Sequence, residues 1–233
     1  MTGHPSLTVA AIPHPFPIAL GTTALLVIDM QHDFCHPKGF CGHDLGVDLL
    51  AVTAIVPRIQ TVVEWCRRHG ILVVYTRESH QADLSDVSPS KQLRYTNAGY
   101  PVGTPGNMGR FLVQGEAGTA LLDAFHPLPT ELTIDKPAQS AFVATNLEAQ
   151  LRDRGVTQLL LTGVTTQCCV LGTYRHASDL GFYCLLLEDC CAAFSETEHQ
   201  VAIAVVQSEN GAIGWVATSE ALLALNEGRN QQE

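Results

Sequence analysis

Three residues able to share one nucleophilic reaction each stand at the end of an apolar run. Cys169 ends Leu159-Leu-Leu-Thr-Gly-Val-Thr-Thr-Gln-Cys-Cys169, a run that breaks at Gly163 and delivers a thiol into the first turn of a helix. The free amides of a helix N-terminus carry partial positive charge, which favours a thiolate and can hold a developing oxyanion. Asp29 follows Ala24-Leu-Leu-Val-Ile28, and Lys136, one of only three lysines, follows Glu131-Leu-Thr-Ile-Asp135. A cysteine attacks as the thiolate, so a base must take its proton and a cation must favour the negative charge. Asp29 supplies the base and Lys136 the cation. A nearby ammonium lowers a carboxyl pKa and burial raises it, and the sequence leaves that balance open. Taken singly, each has a plainer reading: a buried thiol, a turn-capping aspartate, a solvated lysine. As a set at three strand ends they are a much less accidental group.

The elements that must position them follow a βα rhythm. Apolar residues at helical spacing from Val47 to His69, with Pro57 marking a boundary, stop at Gly70 before the strand Ile71–Tyr75. Strands follow at 131–135, 158–162, 182–187 and 211–216, separated by helices over 145–154, 167–180 and 195–208 and closed by a helix over 219–225. Thr145-x-x-Glu148 and Ser195-x-x-Glu198 read as capping boxes. This alternation predicts a three-layer α-β-α domain around a mostly parallel sheet of about six strands, with ligands expected outside the carboxyl ends of the strands. Residues 77–117 read as one long polar loop without periodicity, and a loop of that length in a compact domain is usually functional. Residues 1–20, rich in proline and histidine, read as an arm over the body or over a neighbour, and 21–233 as a single domain.

With 46% hydrophobic and 15% charged positions in 233 residues, the chain can bury a large core. A formal charge of −10 argues against nucleic acid or an anionic membrane as partner and leaves a small molecule as the expected ligand. Neither a secretory leader nor a run long enough to span a bilayer is apparent, so the expected compartment is the cytoplasm. The eight cysteines sit in apolar segments and read as reduced thiols. The pairs Cys168-Cys169 and Cys190-Cys191 lack the spacing of zinc or dithiol redox sites. Phosphate-binding glycine patterns are absent. Arg77, Arg94 and Arg110 flank the long segment and suit planar carbonyl acceptors, and Phe34 and Phe142 are candidate pocket walls.

Val27-Ile-Asp-Met-Gln-His-Asp-Phe34, Ile134-Asp-Lys-Pro-Ala-Gln-Ser-Ala-Phe142 and Leu161-Thr-Gly-Val-Thr-Thr-Gln-Cys-Cys-Val170 resemble the three motif blocks of the isochorismatase-like cysteine hydrolases, in order. The resemblance implies Asp29, Lys136 and Cys169 as the triad, with Cys168 as packing, and no cofactor. It also implies a cis peptide at Val164-Thr165 and an oxyanion hole from the amides of Thr165 and Cys169. Thr76–Leu84, Gly109–Glu116 and Cys184–Cys191 are most similar to the amidohydrolases of linear ureides, those acting on biuret, triuret or ureidoacrylate. The implied reaction is cleavage of a terminal urea-type amide through a thioester, with Phe34, Arg77, Phe142, Gln167 and Glu209 about the substrate. A carboxylate at Glu209 cannot donate the hydrogen bonds of an amide, so it is expected to select a particular ureide. Other readings are a nicotinamidase-like amidase and a catalytically inactive binding member. The nicotinamidases hold a metal through an aspartate and histidines. The segment at Asp44 lacks the matching histidine, although His43 and His80 are near in sequence, so no metal is expected. Homotetramers are an expectation from the resemblance only.

Overall fold

The computed structural model describes residues 7–226. Six parallel strands form the central sheet: β1 (Thr23–Ile28), β2 (Leu72–Glu78), β3 (Leu132–Lys136), β4 (Gln158–Val164), β5 (Tyr183–Ala192) and β6 (Trp215–Ala217), in the order β6-β5-β4-β1-β2-β3. Every residue of β1 and β4 is buried, which is why these strands read as unbroken apolar runs. Leu25 and Val27 face one core, and Ala24, Leu26 and Ile28 the other. Helices α1 (Val56–Arg68) and α6 (Ser219–Leu223) cover the first face; α3 (Leu147–Asp153), α4 (Leu171–Asp179) and α5 (Glu196–Gln207) cover the second. In α1, Ile59, Val62, Val63 and Cys66 recur at helical spacing and are buried, while Pro57 stands in its first turn, where a missing N–H costs nothing.

Three local expectations need correction. The segment 77–117 is not structureless: helix α2 (Pro89–Asn97) starts at Ser88, whose side chain accepts the amide of Lys91 at 3.2 Å. Phe40, Val102, Phe111 and Leu112 form a small core around this segment. The capping box at Thr145 is half made: Asn146 stands at the N-cap of α3, and the Thr145 hydroxyl accepts the Leu147 amide at 3.3 Å while donating to the Ala141 carbonyl at 2.6 Å. Ser195 occupies the N-cap of α5 but makes no capping hydrogen bond.

In the arm, Leu7–Val9 pairs antiparallel with Phe16–Ile18, and Ile12 bridges to Val216 of β6. Residues 7–18 thus lie over the chain's own body, with Phe16 fully buried against Trp215; residues 1–6 lie outside the described residues. No described helix is long and apolar enough to cross a membrane.

Candidate active site

Four adjacent strands, in the order β4-β1-β2-β3, deliver one group each to the same carboxyl edge. Asp29 follows β1, Glu78 ends β2, Lys136 ends β3, and Cys169 lies in the turn after β4. The register sets Glu78 beside Lys136 and, one residue earlier, Arg77 beside Asp135. Because successive side chains alternate across a strand, the first pair is buried and the second faces outward. Asp29 turns sharply off β1 with φ 51°, a left-handed conformation that aspartate tolerates better than most residues. Its amide bonds the carbonyl of Thr76 at 3.2 Å, and the Thr76 hydroxyl donates to Oδ1 at 2.6 Å. Oδ2 faces Lys136 Nζ at 2.7 Å.

Glu78 is the member of this site that the sequence analysis did not single out. Its Oε2 lies 3.3 Å from Lys136 Nζ and 3.1 Å from Cys169 Sγ, and its Oε1 meets Lys91 Nζ at 2.5 Å and the Tyr95 hydroxyl at 3.3 Å. Its backbone is gripped by Gln31, which donates to the Glu78 carbonyl at 3.1 Å and accepts the Glu78 amide at 2.7 Å. The glutamine of Asp-Met-Gln is therefore a clamp tying the turn after β1 to the end of β2.

The two buried carboxylates are pushed apart. For Asp29, burial outweighs the attraction of Lys136 and raises the carboxyl above its usual range. Burial acts on Glu78 in the same sense, but Lys136 and Lys91 together overcome it and hold the carboxylate below its usual range. Burial alone would weaken the Lys136 ammonium; Asp29, Cys169 and Glu78 around it leave it firmly protonated. The hydrogen bond to Cys168 and burial raise the Cys169 thiol well above a free cysteine. A resting thiol beside one carboxylate able to take a proton and one fixed as an anion can run acid–base chemistry at a nucleophile.

Cys169 is placed by backbone geometry. Gly163, with φ 111°, lies against Ile28, where any Cβ would strike the Ile28 carbonyl oxygen. The peptide between Val164 and Thr165 is cis, and Thr166–Val170 forms a π-turn that runs into α4. That turn is tied to α5 by Thr166 to His199 at 2.8 Å and Gln167 to Glu198 at 2.9 Å.

A cavity of about 650 Å³ opens over the thiol, lined by Glu78, Thr165, Cys168 and Cys169 at its base and by Phe34, Tyr95, Tyr100, Phe111 and Phe194 on its walls. Arg94 is the one cationic residue of the lining. Of the substrate contacts expected from sequence, Phe34 and Arg94 line this cavity and Arg77, Arg110, Phe142, Gln167 and Glu209 do not. Arg77 pairs with Asp135 at 2.8 Å. Phe142 packs in the core against Phe182 and His176. The Gln167 amide is engaged by Glu198. Glu209 is exposed on a turn beyond α5, so the selective role expected of it has no contact with the cavity to act through. Arg110 pairs with Glu116 at 2.9 Å.

Asp29, Glu78 and Cys169 offer ligand atoms within 4.8 Å of one another, the one such group among the described residues. Lys136 Nζ already lies against both carboxylates and supplies the positive charge a cation would bring. His80 gives Nε2 to Lys91 at 2.7 Å, while His43 lies 3.3 Å from Asp44.

The isochorismatase domain matches residues 23–221. A ureidoacrylate amidohydrolase from Azorhizobium caulinodans is 30% identical over 212 residues, covering 89% of this chain and 92% of its own. The crystal structure of an isochorismatase family protein from Desulfovibrio vulgaris superposes with a TM-score of 0.71 at 26% identity, over 88% of this chain and 98% of its own. A cysteine hydrolase from Pseudomonas syringae pv. phaseolicola shares the fold, with a TM-score of 0.77 at 24% identity over 97% and 99% of the two chains. On the domain match and the shared architecture, the chain belongs to the isochorismatase family.

Proposed function

We propose that the protein is a cysteine amidohydrolase that cleaves the terminal C–N bond of a small linear ureide and releases ammonia. The observation that carries this reading is the convergence of the Cys169 thiol on two buried carboxylates of opposite pKa displacement, with Lys136 against both. A terminal carbamoyl group entering the cavity offers an NH2 group to Glu78, the anion that the resting thiol occupies. Displaced from Glu78, the S–H turns to Asp29, which takes the proton as sulfur attacks the carbonyl carbon. The amides of Thr165 and Cys169 receive the developing oxyanion. Asp29 then protonates the departing nitrogen, ammonia leaves, and a thioester remains on Cys169. Water, deprotonated by Asp29, opens the thioester, freeing a carbamate-type acid and restoring the thiol. Lys136 stays charged throughout and steadies each anionic stage.

Among ureides, the lining supports one that carries a carbon tail. The walls are largely aromatic, biuret would fill a small part of the volume, and Arg94 suits a carboxylate at the far end. The relative named for ureidoacrylate agrees with this choice, and biuret and triuret are the second reading. All eight cysteines are free, which supports a reducing compartment such as the cytoplasm. Ammonia release from ureidoacrylate, biuret, triuret and nicotinamide, measured in parallel, tests the proposal. Preference for ureidoacrylate supports it. Release from nicotinamide alone, or from none of the four, contradicts it.

A further inference from the structure

Two of the chain's three lysines are buried on opposite oxygens of Glu78, and the mechanism above uses only Lys136. Lys91 is buried too, on α2, outside the sheet. Its ammonium donates to Glu78 Oε1 at 2.5 Å, to the carbonyl of Pro137 at 3.0 Å and to His80 Nε2 at 2.7 Å. His80 Nδ1 in turn faces Asp86 Oδ2 at 3.3 Å. Burial and the adjacent Lys91 hold the His80 imidazole below its usual pKa. Neutral, it accepts from Lys91 on Nε2, while Nδ1 lies near the Asp86 carboxylate without a formed hydrogen bond. The result is a chain of contacts from Asp86 at the rim through His80, Lys91 and Glu78 to the Cys169 thiol. The same helix lines the cavity with Arg94 and Tyr95, so one ion pair joins a specificity wall to the reaction centre.

We propose that Lys91, oriented by His80 and Asp86, is a positioning residue that fixes the Glu78 carboxylate with one oxygen so that the other remains an acceptor for the substrate's terminal N–H. This rests on the amidohydrolase reading above. The groups facing Glu78 are Asp29 after β1, His80 in the loop after β2, Lys136 on β3, Cys168 and Cys169 in the π-turn, and Tyr95 and Lys91 on α2. Lys91 and Lys136 are the two cations among them. Without Lys91, burial and the neighbouring Asp29 act on Glu78 against a single cation, and it takes up a proton at higher pH.

The test is an infrared titration of the Glu78 carboxyl band, assigned by its loss in Glu78→Gln, in native enzyme, Lys91→Met and Lys91→Arg; the acidic limb of kcat/KM belongs to Asp29, whose carboxyl titrates above that of Glu78. The expected result is a band that protonates about one pH unit or more higher in Lys91→Met and returns toward the native position in Lys91→Arg. A merely structural role would leave the band where it is, and that result overturns the proposal. If Lys91→Met does not fold, Asp86→Asn carries the test: a smaller shift in the same direction supports it, and an unmoved band refutes it. A protein silent toward every ureide would sink the functional reading, while an unmoved Glu78 band in Lys91→Met would sink this one.

Discussion

The Cys169 sulfur lies 3.1 Å from Glu78 Oε2, so the resting thiol is hydrogen-bonded to the carboxylate that is harder to protonate, not to the one fitted to act as base. Substrate must take over that contact before the thiol can pass its proton to Asp29. The two carboxylates thus have separable parts, one in recognition and one in proton transfer.

Replacing them should separate the kinetic constants. Asp29→Asn keeps an acceptor for Thr76 but cannot take a proton, so kcat should fall by about 10²–10⁴. Glu78→Gln should act mainly on KM, because the lost group meets the substrate's N–H in ground and transition states alike. It also leaves the buried Lys91 without a carboxylate partner and Lys136 with Asp29 alone, so a lower melting temperature is expected beside the KM effect. Steady-state kinetics and thermal melting on the two variants check this, and equal kcat losses with unchanged KM would contradict it.

Gly163→Ala should damage both stability and activity. The added methyl would meet the Ile28 carbonyl oxygen, and φ 111° is strained for any L side chain. Relief requires β1 and β4 to separate where Asp29 and Cys169 leave them. A loss of several kcal/mol is expected, of the size seen for overpacked or strained cores, roughly 2–4 kcal/mol. Denaturant unfolding measures it, and a change within about 0.5 kcal/mol would refute the argument.

Asp33 gives a pH signature away from the reaction. Burial, only partly offset by hydrogen bonds from the amides of Leu112 and Phe40, raises its carboxyl from 3.8 to about 6. The folded state therefore holds this proton more tightly than the unfolded chain. Its stabilising contribution is full below pH 3.8 and is lost as pH rises to about 6. Asp33→Asn should remove that dependence, worth on the order of 2–3 kcal/mol, and flatten the unfolding free energy across the window. An unchanged slope would contradict the assignment.

Much of this was legible in the sequence because β1 and β4 are buried on both faces and so spell apolar runs whose ends point to the site. Lys136 ends β3, a strand that alternates buried and more exposed residues, while Asp29 and Cys169 follow from that rule. Glu78 obeys it as well, yet it escaped, because β2 continues past Tyr75 through Thr76-Arg-Glu and a polar strand end reads as loop. Opposed charges at matching places in Arg77-Glu78 and Asp135-Lys136 were the available signal, since they match only if the strands pair in that register. Helix α2 was hidden because its residues are mostly polar and its apolar contacts are few, although Ser88-Pro89 is a fair start signal. Arg77 stands out by residue type and Glu209 by the resemblance alone; the first is spent on Asp135, and nothing local in the sequence marks the second as facing solvent.

The central claim is that chemistry passes through a covalent bond to Cys169, and the most direct measurement is the mass of protein quenched during turnover of a ureide substrate. The account predicts an acyl adduct confined to the peptide containing Cys169, retained in Cys168→Ala and absent in Cys169→Ala, which also stops releasing ammonia. Undiminished ammonia release by Cys169→Ala would contradict it.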